Sequence, residues 1–179
     1  MSIMLSIQST WVAKILNGEK TREFRGWIPK GFVGWVYLYC TKAKPKLYRL
    51  PTNNKKEWYL ANKLPDGWVV NSNSFNGKVV ARFWYDEYEE FNSSLGNPRL
   101  YIAGCVQDEE ICQMFRGGMA YAWSIKKLEI FDNPKEINEF YHYKLKLIDC
   151  GIDCPPYYDE VKVQMTKAPQ SWCYCEERK

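Results

Sequence analysis

The sequence predicts a mixed α+β fold that is mainly β, a small β-barrel of about five to seven strands with flanking short helices. Short β-prone runs recur along the 179 residues between turn-rich segments, while few segments have helical spacing. Aromatic residues make up 16% of the chain, and such side chains favour strands. This pattern favours a small barrel over βαβ units. The length fits a single domain over residues 1–179.

A strand and a helix are predicted at the N-terminus. Residues 3–7 alternate as a strand, and the apolar residues of 11–16 fall at helical spacing. Ser9 and Thr10 offer N-cap oxygens, and Asn17-Gly18 accepts the left-handed conformation that ends a helix. This turn determines the position of the residues that follow the helix.

Residues 20–25 are predicted as a strand with two distinct faces. The faces would carry alternate residues, which are Lys20, Arg22 and Phe24 on one side and Thr21, Glu23 and Arg25 on the other. A bulge, or a bend between helix and strand, would break this parity.

The rest of the chain mixes further strands with short helices and loops. Strands are expected at 32–39, 78–88, 119–131 and 171–176. Short helices are expected at 54–64, at 108–115 and from 133 through 140. A Lys/Pro-rich loop is expected at 42–54, and an irregular insert with Cys and Pro at 144–166.

The charge is mildly basic and unevenly distributed. The formal net charge is +4 and the pI about 8.6. From Lys14 to Lys56 the acids are Glu19 and Glu23, whereas acids outnumber bases between residues 86 and 110. We therefore expect one basic face, which permits an anionic partner.

Seven cysteines and the N-terminal sequence bear on the compartment. The N-terminus has neither a basic leader nor a long apolar run, and no stretch approaches the length of a membrane span. We therefore expect a cytoplasmic protein with free thiols and no membrane partner.

Five blocks of the sequence resemble the ASCH domain family in the same order. Gly18, Lys20, Glu23 and Arg25 match its G-x-K-x-x-E-x-R signature. The later blocks are VYLYCTKAK (36–44), NGKVVARFWYDE (76–87), AYAWSIKKLEIFDNPKEINEF (120–140) and KAPQSWCYCEE (167–177). The last block is similar to the ending of phage and mobile-element members.

The resemblance implies a PUA-like pseudo-barrel with a helix over a cleft between strands. It implies RNA or a nucleotide as the partner, because relatives are proposed to bind RNA. One bacterial subgroup hydrolyses the acetyl group of modified cytidine, and other relatives have been linked to nuclease activity. No cofactor is implied.

The signature residues have the chemistry of a nucleotide site. Lys20 supplies a point charge for phosphate, and Arg25 can grip phosphate or carboxylate with two hydrogen bonds. Glu23 can accept from an amino group, as acids do with cytosine. Trp27 and Trp172 can stack on a base, which contributes about 1–3 kcal/mol each in single-strand binders. The alternative is a surface ion-pair set, worth about 0–1 kcal/mol, on a barrel rim.

Catalysis is a separate hypothesis, with Lys20 and Glu23 as its candidate residues. In the acetylcytidine subgroup a Thr follows the Lys by three residues; here that position is Glu23. Thr21 is adjacent to Lys20 and would point to the opposite face, which weighs against amidohydrolase chemistry. A Lys–Glu pair can still serve as base and acid in another hydrolysis, such as that of RNA.

Histidine and cysteine offer few metal ligands. His142 is the single histidine, and we expect it at the surface or a helix end. A four-thiolate zinc site would need Cys150, Cys154, Cys173 and Cys175, but only the first pair has the usual C-x2–4-C spacing. We favour free or buried thiols and predict no metal site.

Two further segments are candidate ligand contacts. Gln170, Ser171 and Trp172 either line the pocket mouth beside the Lys20 strand or close the barrel, and both alternatives stay open. A basic run could track a phosphate backbone, although a solvated loop is favoured for such runs. Its members are Lys42, Lys44, Lys46 and Arg49, with Tyr48 among them.

The sequence favours a module that binds a nucleic acid, with RNA as the favoured kind, or a modified nucleotide. A hydrolase acting on a modified nucleoside or RNA is the second hypothesis. A mobile-element accessory protein that binds another protein through exposed aromatic side chains is the third. The ligand's identity and the oligomeric state stay open.

Overall fold

Strands predominate in the computed structural model, which describes residues 1–51, 56–62, 74–148 and 157–178. The first six strands are β1 (Ser2–Ile7), β2 (Arg22–Arg25), β3 (Gly34–Cys40), β4 (Lys46–Pro51), β5 (Lys56–Ala61) and β6 (Val79–Tyr85). The next six are β7 (Tyr88–Asn92), β8 (Met119–Ser124), β9 (Lys126–Lys135), β10 (Phe140–Ile148), β11 (Tyr157–Gln164) and β12 (Trp172–Glu177). Three short helices accompany them, which are α1 (Ser9–Leu16), α2 (Pro98–Gly104) and α3 (Asp108–Phe115). The predicted mainly β class is confirmed.

The strands form three open sheets over the described ranges. Seven strands pair in the order β11-β10-β12-β1-β3-β6-β9, and two smaller sheets contain β2-β8-β7 and β4-β5. β1 and β3 are parallel, and the chain between them passes through α1 and β2. The described residues form twelve strands in all, whereas a barrel of about five to seven strands was expected. Closure into a PUA-like barrel stays a prediction.

Helix α1 forms where the apolar spacing predicts it, because Val12, Ile15 and Leu16 are buried on one face. It begins at Ser9, so the expected caps Ser9 and Thr10 both lie inside the helix. Gln8 occupies the N-cap position and makes no side-chain cap. Burial of these apolar side chains stabilises α1 against the sheet, so the helix forms without a side-chain cap.

The end of α1 was predicted correctly. Asn17 is the C-cap, and Gly18 follows with a φ of +77°. This left-handed conformation favours glycine, because a Cβ atom would add strain there. The chain leaves α1 at this turn and reaches β2 within four residues.

The seven-stranded sheet is apolar on both faces. Leu5 and Phe83 belong to the larger core, which packs against α1. Met4 and Tyr37 point to the opposite face and belong to a second core. Side chains alternate along β1 and β3, so both faces of these central strands are buried.

Helix α2 was not predicted, yet its local signals are present. Asn97 accepts a hydrogen bond from the Leu100 backbone N–H (3.3 Å), and Pro98 occupies the first turn. Leu100 and Phe24 of β2 share a third core with residues of α3 and β8. α2 and α3 therefore cover the β2-β8-β7 sheet.

Two predictions between residues 42 and 64 are wrong. The expected loop at 42–54 contains β4, and the expected helix at 54–64 is β5 over its described residues. The two strands pair antiparallel, and Leu47 and Trp58 enter the larger core. Burial of these side chains outweighs local propensity.

The helix expected from Asn133-Pro134 through Phe140 is also wrong. β9 continues to Lys135, a 3₁₀ turn spans Ile137–Glu139, and β10 begins at Phe140. Phe140 is fully buried against Tyr37, with 4.9 Å between ring centroids. A helix would carry Phe140 away from this contact.

The insert expected to be irregular at 144–166 contains the end of β10 and all of β11. The two strands pair antiparallel over eight positions, from Tyr141–Gln164 to Ile148–Tyr157. Cys150 and Cys154 lie outside the described residues. No helix in the described part of the chain is long and apolar enough to span a bilayer.

Two long strands were predicted correctly in type but are each interrupted. The run at 78–88 divides into β6 and β7, and the run at 119–131 divides into β8 and β9. In both cases the first strand belongs to a different sheet from the second. The chain therefore changes sheet at each break.

Candidate functional site

Lys20, Glu23 and Arg25 form a cluster, which we call the signature cluster. Lys20 is almost completely buried, with 3% of its surface exposed. Its Nζ donates to the Gly104 carbonyl at the end of α2 (2.7 Å) and lies 3.5 Å from the Glu23 carboxylate. The same ammonium lies 5.0 Å from the Trp11 ring centroid and 5.1 Å from that of Phe24. Aromatic rings and oxygen acceptors together stabilise the cation.

The predicted strand parity fails at Lys20 for a simple reason. β2 begins at Arg22, so Lys20 belongs to the turn that follows α1 and is not held to the alternation of the strand. Within β2 the alternation holds, because Phe24 enters the third core while Glu23 and Arg25 share the other face. The bend therefore brings Lys20 to Glu23.

Glu23 joins the two cations of the cluster. Its carboxylate contacts Lys20 on one oxygen and the Arg25 guanidinium on the other (2.9 Å), and the residue is 6% exposed. Two cationic partners compensate the cost of burying this carboxylate. The three signature side chains thus form one connected ion-pair cluster.

Arg25 is the most accessible member of the cluster. Its side chain is 18% exposed, and one terminal nitrogen donates to the Ser6 carbonyl of β1 (3.0 Å). Its Nε is buried and has no hydrogen-bond partner among the described residues. A guanidinium carries five N–H donors, so this fork retains capacity for an acceptor.

Trp123 contributes a second unsatisfied donor next to the cluster. It is paired with Glu23 across β2 and β8, and directly opposed residues of a strand pair share a face. The ring is fully buried, and its Nε1 finds no acceptor within the described part of the chain. Buried indole N–H groups usually have a partner.

Burial lowers the pKa of Lys20 below its ordinary value, while the Glu23 carboxylate acts in the opposite direction. The Cys105 thiol also opposes the decrease, and Arg25 adds to it. Desolvation is the largest of these influences.

The segment 169–172 near the C-terminus is connected to the cluster by Ser6. The Ser6 backbone N–H donates to the Ser171 carbonyl (2.9 Å), and its hydroxyl donates to the Pro169 carbonyl (2.6 Å). Trp172 is half-buried, and its ring centroid lies 6.2 Å from that of Trp123. Ser6 therefore links this segment to Arg25.

The other predicted contacts are more exposed. Trp27 is 80% exposed in the connection after β2, and Gln170 is exposed. The Thr21 hydroxyl points to the Ala103 carbonyl at 3.4 Å. Lys42 is exposed, and its stem lies against Gly77. Their roles as ligand contacts stay predictions.

His142 and the cysteines lie elsewhere. His142 is on β10, opposite Cys175 of β12, and is half-buried, so of the two expected places, the surface or a helix end, the helix end is wrong. Burial and Lys144 lower its pKa. Burial raises the pKa of Cys173 to about 11 and also raises that of Cys175. No group of three or more potential metal ligands occurs among the described residues.

Several residues of the site were missed by the sequence analysis. Ser6, Trp11, Gly104 and Trp123 belong to four different elements and follow no shared motif. Gly104 is the one whose residue type is a local signal, because a glycine allows another group to approach the backbone closely. A Cβ atom there would lie 2.1 Å from Cε2 of Phe24.

Three similar solved structures are of an ASCH protein. The crystal structure of ASCH from Zymomonas mobilis has 14% identity, a TM-score of 0.49 and covers 76% of this chain and 73% of its own. A single-substitution variant of that protein has 13% identity, a TM-score of 0.47 and 76% coverage of both chains. A second variant has 14% identity and a TM-score of 0.47, over 75% of this chain and 73% of that one. No family model and no curated protein matches the sequence.

Proposed function

We propose that the chain binds a nucleotide or a single-stranded nucleic acid at the cluster of Lys20, Glu23 and Arg25. Among nucleic acids, RNA is the favoured ligand. The observation that carries this proposal is that two of the five unsatisfied buried side-chain atoms in the described residues, Arg25 Nε and Trp123 Nε1, lie together beside Glu23. Both belong to the face of the β2-β8 pair that also carries Glu23. A buried donor without a partner is costly, and an acceptor on a ligand would satisfy it.

The cluster matches the hydrogen-bonding edge of a base. The Glu23 carboxylate accepts from an exocyclic amino group, while the guanidinium and indole N–H groups donate to a carbonyl or ring nitrogen. Two cations and one carboxylate leave the cluster attractive to an anion such as phosphate. A single-stranded segment is favoured because its unstacked bases can enter such a site.

Aromatic side chains border the same region. Trp172 is half-buried beside Trp123, and Trp27 follows Arg25 by two residues and is exposed. Either ring could stack on a base that enters the site, as in single-strand binders. Gln170 and Ser171, which precede Trp172 in sequence, would then lie at the opening of this binding site.

The test measures binding of fluorescein-labelled single-stranded RNA by anisotropy. Arg25→Lys keeps the charge but removes Nε, and Trp123→Phe keeps a ring but removes Nε1. Each should weaken binding about tenfold, or roughly 1.4 kcal/mol, the scale of one hydrogen bond. Binding by the unaltered protein should also fall steeply with salt.

Trp84→Phe is the matched control, because Trp84 is half-buried on β6 and packs against Trp35, away from the cluster. It should leave RNA affinity unchanged. Circular dichroism checks that each variant is folded. Absence of RNA binding in the unaltered protein, or equal binding by Arg25→Lys, would contradict the proposal.

A hydrolase acting on a modified nucleoside or RNA is the alternative, favoured by the Lys20–Glu23 contact and the lowered pKa of Lys20. An amine with a lowered pKa beside a carboxylate can exchange protons near neutral pH. Labelled RNA would then be cleaved on incubation, and Lys20→Met and Glu23→Gln would each lose at least a hundredfold in rate. Intact RNA with the unaltered protein would exclude ribonuclease activity.

A further inference from the structure

Strand β11 is the end strand of the seven-stranded sheet in the described part of the chain. It pairs with β10 over eight positions without a register shift, and Tyr157–Gln164 contains neither Pro nor Gly. Proteins usually protect such edges with short strands, bulges, proline or charged side chains, because the outer N–H and C=O groups can pair with another strand. β11 has eight residues, no bulge and no proline, and its charged residues Asp159, Glu160 and Lys162 are of both signs.

One face of the β10-β11 hairpin carries three large apolar side chains that are exposed. Leu145, Leu147 and Tyr158 are 73%, 49% and 70% exposed, respectively. Leu147 and Tyr158 are directly paired, and Leu145 pairs with Glu160, so all of them share one face. Large exposed apolar side chains that are contiguous mark an interaction surface.

The charges of β11 favour a second copy of the same strand as its partner. If a two-fold axis perpendicular to the sheet relates the two copies, the same face of β11 lies on the same side of the joined sheet in both. When this axis passes through Val161, Glu160 of each copy lies opposite Lys162 of the other. Glu160 and Lys162 lie on the same face, two residues apart. Moving the centre to Glu160 would instead oppose like charges, which is destabilising.

We propose that two copies of this chain associate through antiparallel pairing of their β11 edges, centred on Val161, and so join their seven-stranded sheets into one. Each Lys162 already lies 2.9 Å from Glu176 of its own chain. In the dimer it would gain Glu160 of the second copy as another partner. On that face the Glu160–Lys162 pairs would lie at the junction, between the apolar side chains of the two hairpins.

Charge reversal tests the register directly. Glu160→Lys opposes lysine to lysine in its own dimer, and Lys162→Glu opposes glutamate to glutamate, so each variant alone should be monomeric in sedimentation velocity at micromolar concentration. Mixing the two variants pairs opposite charges at both positions and should restore the dimer. A loss of folding or of the Glu176 contact would not be rescued by mixing. Glu89→Lys on β7 is the matched control and should remain dimeric.

A cysteine at the proposed axis gives a second test. Val161→Cys would place two thiols directly opposite each other, within the Cα separation that a disulfide allows. Val163→Cys is the matched control, because Val163 shares the face of Val161 but would oppose Asp159. Oxidised Val161→Cys should give a covalent dimer on non-reducing gels, and Val163→Cys should not exceed the unaltered protein.

The outcomes separate the alternatives. A protein that stays monomeric up to high micromolar concentration would overturn the proposal, as would a dimer that both charge variants retain. Equal cross-linking of Val161→Cys and Val163→Cys would also overturn it, since the register would then be wrong.

Discussion

Lys20 is a buried cation whose partners come from three separate parts of the chain. Glu23 follows it by three residues, Trp11 belongs to α1, and the Gly104 carbonyl ends α2. A buried lysine without such partners would be strongly destabilising. The Lys–Glu spacing is visible in the sequence, but the carbonyl that completes the site is supplied 84 residues away.

Gly104 shows how closely the backbone approaches this cluster. We expect Gly104→Ala to lower the free energy of unfolding by about 2 kcal/mol or more, because the added Cβ would lie 2.1 and 2.5 Å from two ring carbons of buried Phe24. Urea denaturation followed by tryptophan fluorescence measures the loss. Gly96→Ala is the control, since its nearest contact would be Asp108 Oδ2 at an ordinary 3.6 Å. Equal stability of both variants would contradict the packing described here.

At the scale of elements, the segments predicted correctly are those whose local signals agree with their packing. α1 combines helical apolar spacing with the Asn17-Gly18 turn, and α3 is observed at Asp108–Phe115, as expected. β12 is observed within one residue of its prediction at 171–176. Local sequence suffices where propensity and burial favour the same structure.

The elements that were missed depend on the strands with which they pair. β11 has an ordinary polar composition, and its strand conformation depends on β10, while β5 depends on β4. Pro134 suggested the start of a helix, but it lies in β9, which pairs with β6. The pairing of a strand is set by packing and by its partner, which the local propensity of the segment does not display.

The candidate site was predicted in part for the same reason. The association of Lys20, Glu23 and Arg25 follows from the motif and the turn after α1, and the structure brings all three into contact. Trp123 and Ser6 enter the site only because β8 pairs with β2 and because Arg25 reaches β1. These contacts depend on the sheet topology rather than on the sequence near the motif.

At the scale of the whole molecule, the two proposed surfaces belong to different sheets. The cluster depends on β2 and β8, whereas the proposed dimer edge is β11 at one end of the seven-stranded sheet. β12 lies between them and carries both Trp172 and Glu176, the latter paired with Lys162. The basic excess of the chain, +4 in total, would favour the proposed binding of RNA irrespective of dimer formation.

This separation predicts that the two activities are lost independently. Glu160→Lys should abolish the dimer and bind a short single-stranded RNA, long enough for one site, within twofold of the unaltered protein. Arg25→Lys should weaken that RNA about tenfold and remain dimeric, because Arg25 contacts Glu23 and Ser6 and not β11. Anisotropy and sedimentation velocity on the same samples measure both properties. If Glu160→Lys lost RNA affinity as strongly as Arg25→Lys, the RNA site would require the second copy, and the cluster alone would not be sufficient for binding.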